Sequence, residues 1–383
     1  MQLLSKLPDQ GVTIFSTMSA LAQRLNALNL SQGFPDFAAP PDLIEALCEA
    51  TRNGHNQYAA GDGYLPLRQQ VALQFQQRDQ VALDPLTEIT ITPGATIGLF
   101  AAIQATIHPG DEIIIFDPSY DSYDPAVRVA GGVPVHIALD APEFKVDWDK
   151  VAAHISSRTR MIIVNTPHNP TGTIWSYQDW QQLITLVEKH DLLVLSDEVY
   201  EHLIFDGARH WSALHFPELR ERSFVVGSFG KTFHVTGWKT GYCAASPTLM
   251  QLFRQIYQYA NFCGNTPAQI ALTQYMQQHP EHIAGLADFY QHKRDAFNLG
   301  LQQSRFGFTP CQGTYFQTVD YTEIRPDLND VEMCYFLAQE KGIVAIPLSV
   351  FYQHPPKNLR LIRLCFAKTE QTLQRAVQLL NAC

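Results

Sequence analysis

The segment GSFGKTFHVTGWKTGY (residues 227–242) holds three groups with complementary chemistry: the primary amine of Lys231, the hydroxyl of Ser228 and a second cation, Lys239. Gly230-Lys231-Thr232 has the outline of a triphosphate-binding P-loop. That motif requires a further glycine five residues before Gly230, and position 225 is a valine inside an apolar run. A lysine just past the end of the strand-like FVVGS, with a serine and a second cation beside it, instead suits one ligand carrying both an aldehyde and a phosphate. The amine forms an imine with the aldehyde, and Ser228 and Lys239 hold the phosphate. A lone lysine is usually a solvated surface charge; its neighbours set this one apart.

These groups need a frame. Apolar runs of strand length recur as EITITP (88–93), EIIIFDP (112–118), GVPVHIAL (132–139), MIIVNTP (161–167), LLVLSDE (192–198), FVVGS (224–228) and TGYCAA (240–245). Amphipathic stretches such as TIGLFAAIQATI and YQDWQQLITLVEKH lie between several of them. Strands that are apolar throughout, alternating with helices, predict an α/β fold with a largely parallel sheet covered on both faces. Five runs end in Pro93-Gly94-Ala95-Thr96, Asp117-Pro118-Ser119-Tyr120, Asn165-Thr166-Pro167, Ser196-Asp197-Glu198 and Gly227-Ser228. Ligands bind at the carboxyl edge of such sheets, so five polar ends of complementary chemistry predict a site there.

From about residue 281 the pattern changes to a long helix, the segment FTPCQGTYFQTVD, a helix around VEMCYFLAQEKG and a strand pair around IVAIPLS and LIRLCFA. This predicts a smaller α+β unit, joined by the first forty or so residues. The expected division is a large domain over 45–280 and a small domain of 1–44 plus 281–383, which suits a chain too long for one ordinary core.

GSFGKTFHVTGWKTG resembles the cofactor-lysine motif of the class I/II aminotransferases, fold-type-I enzymes that use pyridoxal 5′-phosphate (PLP), and the resemblance covers almost the whole chain. It departs at Lys239, where many members carry arginine, and at His234, where a small residue is usual. Lysine gives up the bidentate fork of arginine but still binds phosphate. The resemblance implies a mostly parallel seven-stranded sheet between helices, PLP held as a Schiff base on Lys231, and a homodimer with shared active sites. Asp197, in LLVLSDEVY, is then the carboxylate that keeps the pyridine nitrogen protonated. Tyr200, together with Asn169 of NTPHNPTG, binds the phenolic oxygen of the ring. TPGATIGLF starts a helix directly after a strand, so Gly94, Ala95 and Thr96 offer N–H groups to the phosphate. Tyr120 matches an aromatic that stacks on the ring, and Tyr58 a tyrosine that reaches the phosphate of the neighbouring subunit. Gly33, in SQGFPDF, matches a loop beside the substrate carboxylate. Arg363 lies within the apolar run LIRLCFA, where an unpaired charge is costly, so it needs an anionic partner. The family places its substrate-carboxylate arginine there; a buried structural ion pair is the alternative.

The activity implied is transfer of an α-amino group from an amino acid to a 2-oxo acid, with Lys231 carrying the proton between substrate and cofactor carbons. TIFSTMSAL, SQGFPDF and QYAAGDGYLPLR are similar to the methionine, glutamine and kynurenine aminotransferase subgroup. That likeness makes Phe15 and Tyr64 side-chain-pocket candidates. No second cation stands out for a side-chain carboxylate, so methionine is the first expected donor, ahead of aromatic residues, histidine and glutamine. A cysteine-conjugate carbon–sulfur β-lyase shares the same lysine and is the nearest rival.

A formal net charge of -10 argues against general nucleic-acid binding. No run approaches the roughly 18 apolar residues of a membrane helix, and Lys6, Pro8 and Asp9 interrupt MQLLSKLPDQGV as a leader. Seven scattered cysteines without a C-x-x-C pair point to a reducing compartment, and so to the cytoplasm. HPEH (279–282) reads as a polar surface turn, and no metal site is assigned.

Overall fold

The computed structural model describes residues 3–8 and 11–383, so residues 1, 2, 9 and 10 of the expected small domain and leader-like segment lie outside the described residues. The seven apolar runs form one sheet: β1 (Ile89–Thr92), β2 (Glu112–Asp117), β3 (Val133–Ala138), β4 (Thr159–Asn165), β5 (Leu193–Asp197), β6 (Ser223–Ser228) and β7 (Gly241–Ala245). Their order is β1-β7-β6-β5-β4-β2-β3. Only β7 runs against its neighbours, pairing antiparallel with both β1 and β6. The ends of β1, β2, β4, β5 and β6 therefore share one edge, and the beginning of β7 joins them.

Side-chain alternation divides the core into two layers. Ile113 and Ile115 of β2 join the cluster beneath helices Ala95–Thr106 and Pro247–Ala260. Ile114 and Phe116 join the opposite cluster, which takes in Trp180, Leu183 and Val187 of helix Tyr177–His190. That helix follows from its sequence: Ser176 and Asp179 make a reciprocal capping box, its buried residues recur at three- and four-residue spacing, and Asp191 ends it in the left-handed conformation.

The C-terminal part is built on a three-stranded antiparallel sheet with Leu361–Cys365 in the centre, flanked by Phe316–Asp320 and Ile346–Pro347. The expected strand pair is thus half of the arrangement. IVAIPLS divides between two sheets, because Ile343–Val344 pairs in parallel with Leu28–Asn29 while Ile346–Pro347 pairs with Leu361–Cys365. FQTVD supplies the third strand and sets Thr318 opposite Arg363. The expected boundaries at 44/45 and 280/281 fall inside helices Pro41–Arg52 and Pro280–Ala284.

Asp117 ties the two parts together at one end of the sheet. Its Oδ2 accepts from the Gln353 N–H at 2.8 Å, and its Oδ1 accepts from Ser119 Oγ at 3.0 Å and faces His136 Nδ1 at 2.9 Å. His136 Nε2 is 3.0 Å from Asp124. Burial opposes charge on this imidazole, but the two carboxylates prevail and raise it from 6.5 to about 9. A raised pKa stabilises the fold fully below about pH 6.5 and is lost as the pH rises through about 9. His136→Gln is expected to cost on the order of 2 kcal/mol at neutral pH. In urea unfolding, the gap from wild type should close above about pH 10; a pH-independent gap would contradict the ion cluster.

Candidate active site

A cleft of about 460 Å³ opens at the strand edge defined by the reversal of β7. Thirteen of the expected residues line it: Phe15, Gly33, Gly94, Ala95, Thr96, Tyr120, Asn169, Asp197, Tyr200, Ser228, Lys231, Lys239 and Arg363. They come from turns far apart in sequence, as the strand-end argument requires.

At one end of the cleft a helix amino terminus meets an ammonium group, a floor suited to an anion. Helix Ala95–Thr106 starts at Gly94, which has φ +82° and gives no side-chain cap, so the first N–H groups of the helix are left for a ligand. The positive φ of Gly94 is what favours glycine at this turn, and the Lys239 ammonium lies close by, 3.4 Å from where a Cβ on Gly94 would stand. Lys239 itself is in the left-handed conformation, φ 50°, and makes no hydrogen bond or ion pair among the described residues. The β6–β7 pairing places Ser228 opposite Gly241, so Ser228 and Lys239 lie at the same end of the hairpin.

Lys231 sits on the short helix Phe229–Thr232, which continues β6. Its Nζ donates to the Gly33 carbonyl at 3.2 Å, and the Tyr315 hydroxyl donates to the same carbonyl at 2.6 Å. The amine lies 5.7 Å and 5.6 Å from the ring centroids of Tyr200 and Tyr315. Burial lowers its pKa to about 8, with help from the positive charges of Lys239 and Arg363 and against Cys365 and Asp197. A substantial share of neutral amine near pH 8 is what a nucleophile or proton carrier requires.

Asp197 ends β5. Burial raises its carboxyl to about 6, opposed by hydrogen bonds from the Tyr123 hydroxyl at 2.6 Å and the Val199 N–H at 3.3 Å. Asn165 holds the same turn, donating from Nδ2 to the Asp197 carbonyl at 2.9 Å and accepting the Asn169 N–H at 2.9 Å. Tyr200 is buried, and its ring stands edge-on to Tyr315 at 5.1 Å. Burial also pushes the Tyr120 hydroxyl up to about 12.

Opposite the floor lies Arg363, only 1% exposed. Its guanidinium donates to Asn169 Oδ1 at 2.7 Å and to the Ser31 carbonyl at 2.9 Å, while its Nε has no partner. Phenyl rings of Phe316, Phe351 and Phe15 surround it, with centroids 3.9, 5.3 and 5.5 Å away. Among the described residues no carboxylate forms an ion pair with it, so the buried-ion-pair alternative finds no partner there. Because Asn169 Oδ1 faces Arg363, the amide nitrogen of Asn169 is left as a donor toward the cleft.

Two expected residues stand outside this cleft. Tyr58 is 81% exposed, with its ring edge-on to Phe262 at 5.3 Å. Tyr64 does not line the cleft of its own chain: it caps helix Leu65–Asp79, and its N–H is held by Gln269 Oε1 at 2.8 Å. Pro280 and Glu281 of HPEH are exposed as expected, but His282 is half-buried and bonded to the carbonyl of Thr232. Tyr123 and Tyr315, and Asn165, expected only as a polar strand end, hold Asp197 and Gly33 in place. The spacing of Tyr123 from Tyr120 at the start of helix Tyr123–Val129 is the one signal that could have found it.

Comparison with known proteins agrees with this geometry. The Aminotransferase class I and II family model matches residues 26–380. The methionine aminotransferase of Escherichia coli strain K12 is 49% identical over 98% of this chain and 97% of its own length. The mouse kynurenine–oxoglutarate transaminase 1 is 33% identical over 92% of this chain and 91% of its own length. A solved Escherichia coli structure, described as identifying a methionine aminotransferase function, superposes with a TM-score of 0.97 at 48% identity, covering all of both chains. With the Lys231 amine, an unpaired ammonium at a helix amino terminus and a buried guanidinium in one cleft, and with these relatives along its length, the chain is an enzyme of the class I and II aminotransferase family.

Proposed function

We propose that the cleft binds PLP and transfers the α-amino group of methionine, and of other neutral or aromatic amino acids, to a 2-oxo acid. The observation that carries this reading is the placement of the Lys231 amine between an unpaired Lys239 on the anion floor and the buried Asp197 carboxylate. The donor set fits the cofactor at each point. Lys239, Ser228 and the N–H groups of Gly94, Ala95 and Thr96 suit its phosphate; Asp197 suits a pyridinium nitrogen; Asn169 Nδ2 and the Tyr200 hydroxyl suit a phenolic oxygen. When bound, PLP supplies an electron sink for the negative charge left on the substrate α-carbon.

The chain's own residues do the rest. Arg363 takes the substrate carboxylate in a bidentate pair and fixes which face of the α-carbon meets Lys231. The Gly33 loop closes over that carboxylate. A Cβ at Gly33 would stand 2.6 Å from Phe316 Cζ, so only glycine fits there. Lys231, neutral once released, takes the α-proton and returns it on the cofactor side. Asp197 stays ionised beside a cationic partner, because an opposite charge favours the carboxylate over the burial that raises it in its absence. The preference for an uncharged side chain follows from the lining. Beyond Lys231, Lys239 and Arg363 the described cleft offers no cation, and Phe15, Phe34 and Phe316 present apolar surface.

We further infer a cytoplasmic homodimer with large and small domains divided as expected above. The exposure of Tyr58 supports a role at the partner's phosphate. All seven cysteines are free, and among the described residues no helix is long and apolar enough to cross a membrane.

The test is an absorption spectrum of the PLP-loaded protein before and after methionine, without an oxo acid. The expected result is loss of the visible band and appearance of pyridoxamine phosphate. Pyruvate and ammonia released from a cysteine conjugate, with methionine inert, would favour the lyase instead. No visible band after adding PLP would end the reading.

A further inference from the structure

His282 lies on the short helix Pro280–Ala284 and does not line the cleft. Its Nε2 is 2.9 Å from the carbonyl oxygen of Thr232, the residue directly after Lys231. A carbonyl can only accept, so Nε2 carries the hydrogen. Nδ1 then has a lone pair, which accepts the Tyr275 O–H at 3.1 Å. The imidazole stacks on Phe233, with centroids 5.0 Å apart and planes 30° apart, and meets Tyr275 edge-on at 5.5 Å. Burial keeps it below its usual pKa, in the neutral form this tautomer needs.

Apolar packing of Phe229 on Tyr242 and of Phe233 on Tyr275 holds the body of the turn that carries Lys231, but few hydrogen bonds reach its backbone from outside. Thr232 closes a four-residue helix whose final carbonyls have no intrahelical partner. The bonds Thr232 Oγ1 to the Ser228 carbonyl (3.3 Å), Phe233 N–H to the Phe229 carbonyl (2.8 Å) and Val235 N–H to the Gly230 carbonyl (3.1 Å) are all made within the turn itself. They set its shape and leave its orientation to contacts from outside. His282 reaches it from fifty residues away and is itself oriented by Tyr275 of helix Thr266–Gln278.

We propose that His282 is a positioning residue for Lys231: its Nε2–H holds the Thr232 carbonyl and so aims the Lys231 amine at the aldehyde carbon of PLP. The inference rests on the PLP reading above. In the bond concerned, the Lys231 nitrogen adds to the aldehyde carbon, a C=N bond replaces C=O, and the oxygen leaves as water with the two amine protons. Geometry at Lys231 governs that bond and has little bearing on the phosphate, the ring or the phenolic oxygen, which other residues hold.

Two ligands separate the contributions. PLP binds the apoprotein through the phosphate site, the ring site and Lys231, whereas pyridoxamine 5′-phosphate uses the first two only. His282→Phe keeps a ring against Phe233 and removes both hydrogen bonds. It is expected to weaken PLP by about five- to tenfold, the scale of one neutral hydrogen bond, and to leave pyridoxamine phosphate within about twofold. His282→Gln, which retains an N–H donor, should recover most of the loss. Unchanged PLP affinity in His282→Phe, or equal weakening of both ligands, would overturn the proposal. Should His282→Phe fail to fold, Tyr275→Phe removes the hydroxyl that fixes the tautomer and should show a smaller loss confined to PLP; equal effects on both ligands there would also overturn it. Wild-type apoprotein that binds neither ligand would instead remove the PLP reading itself.

Discussion

Replacing Lys231 with alanine is expected to lower kcat by about 10⁴-fold or more, because one group is being asked to serve as both nucleophile and proton carrier. Among the described residues, Lys239 is the one other lysine that lines the cleft, and it stands at the helix amino terminus where the phosphate is proposed to bind. Lys293 and Lys368 are buried in other company, the first donating to the Lys368 carbonyl at 2.9 Å and the second to the Phe34 carbonyl at 2.8 Å. The remaining contacts for PLP are intact in the variant, so it should still bind the cofactor, without the covalent link to the protein. Single-turnover mixing with methionine separates the two roles: cofactor retained and no pyridoxamine phosphate formed is the expected pair of results. Wild-type turnover in Lys231→Ala would dismiss the catalytic assignment outright.

Arg363→Ala should cut kcat/KM for methionine by about 10²- to 10³-fold, in the range of losing one partner of a desolvated charge pair. The reason is the company Arg363 keeps. A buried cation held only by a side-chain amide and a backbone carbonyl, with Nε unmatched and three phenyl rings around it, lacks the one group that would offset its desolvation. On the proposed reading, a substrate carboxylate would supply that group. Arg363→Lys keeps the charge and loses the fork, so it should recover only part of the activity. Neither substitution touches the anion floor, and PLP binding should therefore persist in both. An unchanged KM in Arg363→Ala would show that the carboxylate binds elsewhere.

Much of this site was legible because the sheet made it so. Each apolar run became a strand within a few residues of its expected limits, and once the runs are parallel their polar ends must converge. The parts that were not legible depend on contacts between distant segments. Tyr123 has the same composition signal as any core tyrosine, and only the approach of β5 to helix Tyr123–Val129 gives it Asp197 as a partner. The run IVAIPLS gives no sign that it will divide between two sheets, since the choice is made by Leu28–Asn29 on one side and Leu361–Cys365 on the other. HPEH is polar and looks like a solvated turn, and nothing local reveals that one of its histidines faces a carbonyl fifty residues away. Tyr64 shows a related limit: motif similarity marks its neighbourhood but gives no sign of the hold of Gln269 on its backbone.

The antiparallel return of β7 carries a further consequence. Because Ser228 and Gly241 close the last rung of one hairpin, residues 229–240 form a span of fixed length between its two legs. That span carries Lys231 near one leg and Lys239 beside the other, so on the proposed reading its length would act as a gauge for the separation between aldehyde and phosphate in a single ligand. One residue inserted between Thr232 and Trp238 would leave the sheet untouched and put the gauge out of calibration. A change of length in this segment is therefore expected to disturb the site more than a change of side chain at position 234.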